Sequence, residues 1–324
     1  MVGNRKFKIL SYIHKARQVF YCIPTYFDEI AELRSTHNFH EWCYFKFPNL
    51  FPLSKLPIYL TVELTNKCNL RCTHCWRAAM TRPIGDIELS TFQKIVAEAS
   101  EFRPRLFKIG GSGEPATHPN FSGLMQYLST GNLRVMVYTN GLLLERFSYD
   151  EILSWGLDCI VVSVDGLDAR GYEKMKIGSD YATVRKSVSS FRTHRNSTGR
   201  NKPALEIRHI ITPEESGLQL VEFSRDWRRL ADRVSFNTIE PPDGLAPKED
   251  ETPPKCRQIR RELAIQWDGR VPVCGGYRKE YIGNIQDSSI SELWRHSKLE
   301  YLRLCNQRKD FDKVPTCRRC CHCR

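Results

Sequence analysis

Pro57-Ile-Tyr-Leu-Thr-Val-Glu-Leu64 runs directly into Thr65-Asn-Lys-Cys68-Asn-Leu-Arg-Cys72-Thr-His-Cys75-Trp76. The first stretch is rich in β-branched and aromatic residues and bounded by a proline, which predicts a strand. The second sets three cysteines in a C-x-x-x-C-x-x-C run and supplies no fourth. Zinc fingers and ribbons assemble four ligands from C-x-x-C or C-x-x-H pairs, so this tripod is a poor match to structural zinc. A cubane [4Fe–4S] cluster ordinarily takes a cysteine on each of its irons. Three thiolates leave one iron open, and an open iron implies chemistry rather than scaffolding. The tripod lies just beyond the carboxyl end of the predicted strand, where α/β barrels gather their active sites.

Working outward, short β-branched or aromatic runs recur at Leu106–Gly110, Leu133–Tyr138, Cys159–Val164, Leu205–Ile211 and Val234–Ile239. Helical stretches lie between them. Ser90-Thr-Phe-Gln93 reads as a capping box ahead of Lys94–Phe102, and Ser148-Tyr-Asp-Glu151 as another ahead of Ile152–Trp155. With the first strand this makes six β/α units, a parallel sheet with helices outside it. Six are too few for a closed eight-unit barrel, so the fold class expected is α/β, a partial (β/α)6 TIM-like barrel. Alternation turns Leu205, Ile207 and Ile211 toward the helices and Glu206 and Arg208 toward the lumen. The same parity sends Thr61, Glu63, Thr65, Ser235 and Asn237 inward, giving a polar pocket. Cys159 shares the parity of Ser163 but sits at the far end of its strand and reads as core.

The composition sets limits. A chain of 324 residues can bury a full core and hold one large domain with a smaller one. It has no run of about eighteen apolar residues that would span a membrane. Its start lacks a sustained apolar segment for export, so a cytoplasmic location is expected. Thirteen cysteines in such a chain point to metal rather than to disulfides. The net charge of +12 is spread along the sequence and reads as a solvated surface, which implies no function by itself; nucleic acid is not an expected partner.

In the tripod and its setting the sequence resembles the radical S-adenosylmethionine (SAM) family, whose signature is C-x-x-x-C-x-φ-C with a ring at φ; His74 holds that place. The resemblance covers roughly Pro57 to Pro241. It implies that Cys68, Cys72 and Cys75 hold a [4Fe–4S] cluster whose open iron chelates SAM. It further implies reductive cleavage of SAM to a deoxyadenosyl radical that abstracts hydrogen from a substrate, with the electron supplied by a flavodoxin or ferredoxin. Gly110-Gly-Ser-Gly-Glu-Pro115 follows the second strand, as the family's G-G-E-P element does, with Ser112 where a glycine is commoner. Glycines there let backbone approach a ligand closely. Gly111, Ser112, Gly113 and Glu114 are therefore candidate SAM-binding residues. Tyr138-Thr-Asn-Gly141 and Val162-Ser-Val-Asp-Gly166 match the family's third and fourth strand ends and add Asn140, Ser163 and Asp165; Arg208 completes the set. Asn-Gly and Asp-Gly are also ordinary turn formers.

Beyond Pro241-Pro-Asp-Gly-Leu-Ala-Pro the pattern changes. Leu263–Trp267 and Arg270–Cys274 flank Asp268-Gly269 as a β-hairpin would. The box Ser289-Ile-Ser-Glu292 opens a helix. Cys256, Cys274, Cys317 and Cys320 surround this unit, similar to the SPASM/twitch extensions of radical SAM enzymes, which carry auxiliary [4Fe–4S] clusters. The tail, Cys317-Arg-Arg-Cys320-Cys321-His-Cys323-Arg324, fits a one-cluster twitch better than a two-cluster SPASM domain. Cys321 or Cys323 remains an alternative ligand, and structural zinc an alternative occupant. Cys22, Cys43 and Cys305 read as ordinary thiols. The expected organisation is an N-terminal extension (1–56), a radical SAM core (57–241), a linker (242–255) and an auxiliary-cluster domain (256–324).

These features imply an iron–sulfur oxidoreductase or epimerase acting on a small, carbohydrate-like substrate. A maturase of ribosomally made peptides is the alternative within the family. A zinc-dependent nucleic-acid-binding protein is the alternative outside it.

Overall fold

The computed structural model describes residues 54–238, 256, 258–275, 280–314 and 317. What the sequence predicts for 1–53, for the 242–255 linker and for Cys320, Cys321 and Cys323 lies outside them. One compact unit holds Ser54–Pro213 and the chain from Phe223 onward; Glu214–Glu222 belongs to a second.

Six strands fall where the sequence places them: β1 (Tyr59–Val62), β2 (Leu106–Ile109), β3 (Val135–Thr139), β4 (Cys159–Ser163), β5 (Ala204–Ile211) and β6 (Arg233–Thr238). Between them run α1 (Leu89–Phe102), α2 (Phe121–Ser129), α3 (Leu142–Arg146), α4 (Tyr149–Ser154), α5 (Ala169–Met175), α6 (Tyr181–Ser197) and α7 (Gly217–Trp227). A seventh strand, β7 (Glu262–Ile265), completes a parallel sheet of order β6-β5-β4-β3-β2-β1-β7.

Period-two alternation explains the layering. Val62, Ile109, Val137, Ile160 and Leu205 lie side by side across five strands. Every one is buried, as are Phe92, Ile95, Leu124, Val188 and Phe191 on the covering helices. Each such side chain contributes about 1.5–3 kcal/mol on burial. The opposite face carries the polar residues parity assigns to it. Thr61 Oγ1 donates to Glu262 Oε1 at 2.6 Å, and Ser235 Oγ to Glu206 Oε1 at 2.6 Å. Cys159 is core, as expected; burial pushes its thiol up to about 12.

Two details differ from the sequence reading. Helix α1 starts earlier than the Ser90 box implies: Glu88 takes the N-cap position and makes no side-chain cap bond. The Ser148 and Ser289 caps do form. The hairpin expected around Asp268-Gly269 keeps its turn, with Gln266 N donating to Arg270 O at 2.9 Å and Gly269 at φ +78°. Its two arms part company, however. The arm before the turn is β7, paired in parallel with β1 from Tyr59↔Glu262 to Val62↔Ile265. The arm after it, β8 (Arg270–Pro272), pairs antiparallel with β9 (Tyr281–Asn284). The open edge of β1 presents backbone groups that need partners, and β7 satisfies them.

The carboxyl-terminal elements α8 (Ile290–Trp294) and α9 (Ser297–Arg308) fasten to the start of the core. Trp294 is fully buried, and its Nε1 donates to Ser54 O at 2.9 Å. The Arg303 guanidinium lies 3.9 Å above the Trp294 ring. Helix α1 supplies further anchors, Glu98 accepting from Ile290 N at 2.7 Å and Thr91 Oγ1 from Gln286 at 2.9 Å. No helix among the described residues is long and apolar enough to cross a membrane.

Candidate active site

The cysteine loop leaves β1 at the carboxyl end of the sheet, and three other loops from that end close around it. The glycine-rich loop after β2 presses on its first residues: Glu114 N donates to Lys67 O at 2.8 Å. A Cβ on Gly113 would stand 2.5 Å from Thr65 O and 2.8 Å from Asn66 C, so only glycine permits this approach. From the end of β3, Asn140 Nδ2 donates to Asn69 Oδ1 at 2.8 Å and reaches Cys68 Sγ at 3.8 Å. From the end of β4, Asp165 Oδ2 lies 3.4 Å from His74 Nε2. The turn dipeptides Asn140-Gly141 and Asp165-Gly166 thus serve as clasps on the cysteine loop.

Cys68, Cys72 and Cys75 lie on one loop, each partly buried. Burial pushes the Cys68 thiol up, and pushes Cys72 up to about 11 with Cys75 and Cys68 adding to it and Lys176 opposing. Thiols held protonated in this way bind metal with release of protons.

Glu114 is wholly buried, accepting from Thr139 Oγ1 at 2.8 Å, Asn140 N at 2.6 Å and Ala116 N at 3.2 Å. Burial outweighs those donors and raises its carboxyl to about 6. Its side chain knits the glycine-rich loop to the end of β3. Asp165 is also buried. Burial would raise it, but Lys176, His74 and the Ile210 amide outweigh burial and hold it well below the usual carboxylate range. Ser163 Oγ donates to it at 3.1 Å. Arg208 faces the lumen as parity requires, its Nη2 on Glu206 Oε1 at 2.5 Å, its Nε on Ser235 Oγ at 3.1 Å, and its guanidinium 5.0 Å above the Tyr138 ring.

Sequence reasoning put Glu63 in the lumen but named no partner for it. Arg82, in the loop before α1, is that partner: its Nη2 reaches Glu63 Oε2 at 2.5 Å and Ser112 Oγ at 2.7 Å. Ser112 N also donates to Glu63 Oε2 at 2.9 Å. Arg82 keeps Nε and Nη1 buried without an acceptor, and His74 Nδ1 is in the same state. Lys176 is the other residue that sequence reasoning missed. It is buried, with Nζ 3.3 Å from Asp165 Oδ2.

The structure therefore brings Cys68, Cys72, Cys75, Gly111, Ser112, Gly113, Glu114, Asn140, Ser163 and Asp165 to one end of the sheet, with Arg208 further across it. Of the auxiliary candidates, Cys256 is buried ahead of β7, Cys274 follows β8 and Cys317 follows α9. Cys305, read as an ordinary thiol, is buried with Phe311 and Val314, against which Leu302 and Cys317 pack.

A parallel β/α sheet with a cysteine tripod and a glycine-rich cradle at its carboxyl end defines a protein built to hold an iron–sulfur cluster beside a small ligand. The residues present suit that group: half-buried thiols on one loop, a glycine with no room for a Cβ, and buried Arg82 N–H groups awaiting acceptors. Residues 62–200 match the Radical SAM superfamily, and residues 256–321 match SPASM, an iron–sulfur cluster-binding domain. The chain belongs to the radical SAM superfamily and carries a SPASM iron–sulfur domain at its carboxyl end. Its cofactors are accordingly a [4Fe–4S] cluster with SAM and an auxiliary iron–sulfur cluster.

Among curated relatives, the tungsten-containing aldehyde ferredoxin oxidoreductase cofactor-modifying protein of Pyrococcus furiosus is 25% identical over 315 residues, covering 81% of this chain and 86% of its own. Among solved structures, BtrN in complex with AdoMet and 2-DOIA superposes with a TM-score of 0.57 at 16% identity, over 83% of this chain and 94% of BtrN. The anSMEcpe enzyme with bound AdoMet and the Kp18Cys peptide gives 0.60 at 16% identity, over 81% and 88%. At these identities the two structures establish the fold alone.

Proposed function

We propose that this radical SAM enzyme dehydrogenates or epimerises a small polar substrate held in the lumen, with Cys68, Cys72 and Cys75 as ligands of the SAM-binding cluster. The lumen-facing row of paired charges carries the reading: Glu63 with Arg82, Glu206 with Arg208 and Ser235, and Lys108 with Glu262 at 3.3 Å. Such a wall offers fixed donors and acceptors to a hydroxyl- or amine-bearing molecule, and offers an apolar one nothing. The Pyrococcus relative, whose name describes the modification of a cofactor, is consistent with a small-molecule substrate.

When bound, the cluster and SAM supply one-electron chemistry that removes hydrogen from an unactivated carbon. The chain's own residues do the rest. Gly111, Ser112, Gly113 and Glu114 cradle the aminoacyl end of SAM, and Asn140, Ser163, Asp165 and Arg208 support it. Buried walls exclude water, which matters because a radical attacks whatever it touches. Cys256, Cys274, Cys317 and Cys320 are assigned to the auxiliary cluster. A flavodoxin or ferredoxin is the electron source proposed.

The test is anaerobic reconstitution, followed by iron counting and a deoxyadenosine assay on wild type and on a C68A/C72A/C75A variant. About eight irons per chain falling to about four, with loss of deoxyadenosine, is expected. Unchanged deoxyadenosine release from the variant would overturn the ligand assignment. Incubation with aminocyclitol, sugar and peptide panels in heavy water then reads the reaction. Loss of two hydrogens marks dehydrogenation, deuterium uptake alone marks epimerisation, and turnover confined to peptides would refute the small-substrate reading.

A further inference from the structure

The chain that follows α5 passes against the cysteine loop and is stitched to it. Arg71 N donates to Ile177 O at 3.0 Å, and Thr73 N donates to Met175 O at 2.9 Å. These two bonds bracket Cys72 on one side and Lys176 on the other. Lys176 is 2% exposed, and its ammonium meets Asp165, itself 1% exposed. The same carboxylate faces His74, which sits between Cys72 and Cys75, and accepts from Ser163 Oγ at 3.1 Å and Ile210 N at 3.1 Å. On the far side of the carboxylate, Gly166 lies so close to α5 that a Cβ would stand 2.5 Å from Gly171 C. The Asp165 backbone is thereby pinned.

A buried ion pair of this kind is weak support for stability, since apolar residues of the same volume commonly do as well. Its placement is what distinguishes it. The bonds from Arg71 N and Thr73 N hold the backbone on either side of Cys72 against the backbone on either side of Lys176. A cation fixed in a water-poor site beside a cluster ligand favours the more negative, reduced state of the cluster, because net charge and solvent exposure set such potentials.

We propose that Lys176 is a positioning residue for the SAM-binding cluster: with Asp165 and His74 it braces the cysteine loop, and its buried charge raises the reduction potential of the cluster bound there. The proposal rests on Cys68, Cys72 and Cys75 being that cluster's ligands.

The experiment uses the full chain, anaerobically reconstituted, with iron and sulfide counted. A redox titration with SAM present follows the paramagnetic resonance signal that changes when SAM is added. Lys176→Met is expected to lower the midpoint so that the reduced fraction at fixed poise falls about tenfold or more, ~59 mV for a one-electron couple. Lys176→Arg keeps the charge and is expected to restore most of the shift. Should Lys176→Met not load iron, the Asp165→Asn/Lys176→Met double variant, which leaves neither partner buried alone, carries the comparison and is expected to shift in the same direction by less. A midpoint equal to wild type in a fully loaded Lys176→Met or double variant overturns the proposal. Absence of any SAM-responsive signal in the wild-type chain would instead overturn the cluster assignment, and this inference with it.

Discussion

Replacing Gly113 by alanine tests whether the glycine-rich loop must touch the cysteine loop. The added Cβ would lie 2.5 Å from Thr65 O and 2.8 Å from Asn66 C, and nearer still to Lys67 O. All three are backbone atoms, so no side chain can swing aside and the loops must separate. Overpacking of this kind costs ~1–3 kcal/mol, and the upper end applies where backbone must move. Parting the loops also strains the 2.8 Å bond from Glu114 N to Lys67 O, worth about 1 kcal/mol. With an unfolding entropy of about 2.1 cal/mol/K per residue, a loss of ~3 kcal/mol lowers Tm by about 4 °C. The larger effect falls on function, because the same displacement moves the SAM cradle away from the thiols. Anaerobic melts, iron content and SAM binding by equilibrium dialysis measure the consequences. Gly123→Ala is the control, since its Cβ would meet the Asn120 side-chain amide, which can rotate away. Near-wild-type iron content with severely weakened SAM binding is the expected result. Wild-type SAM binding by Gly113→Ala would refute the claim that this contact organises the site.

Two further perturbations address the buried charges. Glu63→Gln leaves the Arg82 guanidinium buried and unpaired, so it is expected to cost ~3–5 kcal/mol, while Glu63→Gln/Arg82→Met costs less than that single change; chemical denaturation of all variants gives the coupling, and additive losses would count against the pair. Glu114 predicts a pH effect of definite sign. Its folded pKa of about 6 lies above the ordinary glutamate value of 4.5, so the folded state holds its proton more tightly across that interval. The destabilisation from ionising it is absent below the unfolded value and complete above the folded one. Stability therefore falls by about 2 kcal/mol as pH rises through that window. Glu114→Gln should remove this component, so that the variant's own curve is flatter and the wild-type-minus-variant difference falls by about 2 kcal/mol in denaturation at pH 4.5–6.5; parallel curves would refute it.

The strands were legible because each is a short β-branched run whose alternation specifies a face. Parity placed Glu63 in the lumen, where a lone buried carboxylate is costly without a cation. It could not say that the cation would be Arg82, which lies in Thr81-Arg-Pro-Ile-Gly85, a loop with no motif. Lys176 was hidden for a related reason: in Glu173-Lys-Met-Lys176 it looks like the polar end of a surface helix. Only the turn of that helix end toward the cysteine loop makes it internal. The β7 misreading has a different origin. Leu263–Trp267 reads as a strand, but a strand's partner is a tertiary fact, and the Asp268-Gly269 turn argued for the local one. The family resemblance gathered its candidates at the carboxyl ends of β1–β4; the contacts that make Asn140 and Asp165 clasps were visible only in the fold.

The pairing of β7 with β1 has a consequence for how the protein is made. Thr61 and Glu262, joined by a hydrogen bond, are 201 residues apart. At ~5–20 residues per second, the ribosome needs roughly 10–40 s to deliver the later strand after the earlier one. Throughout that interval the first strand has a bare outer edge, a template for stray pairing, until the last third of the polypeptide arrives to cover it.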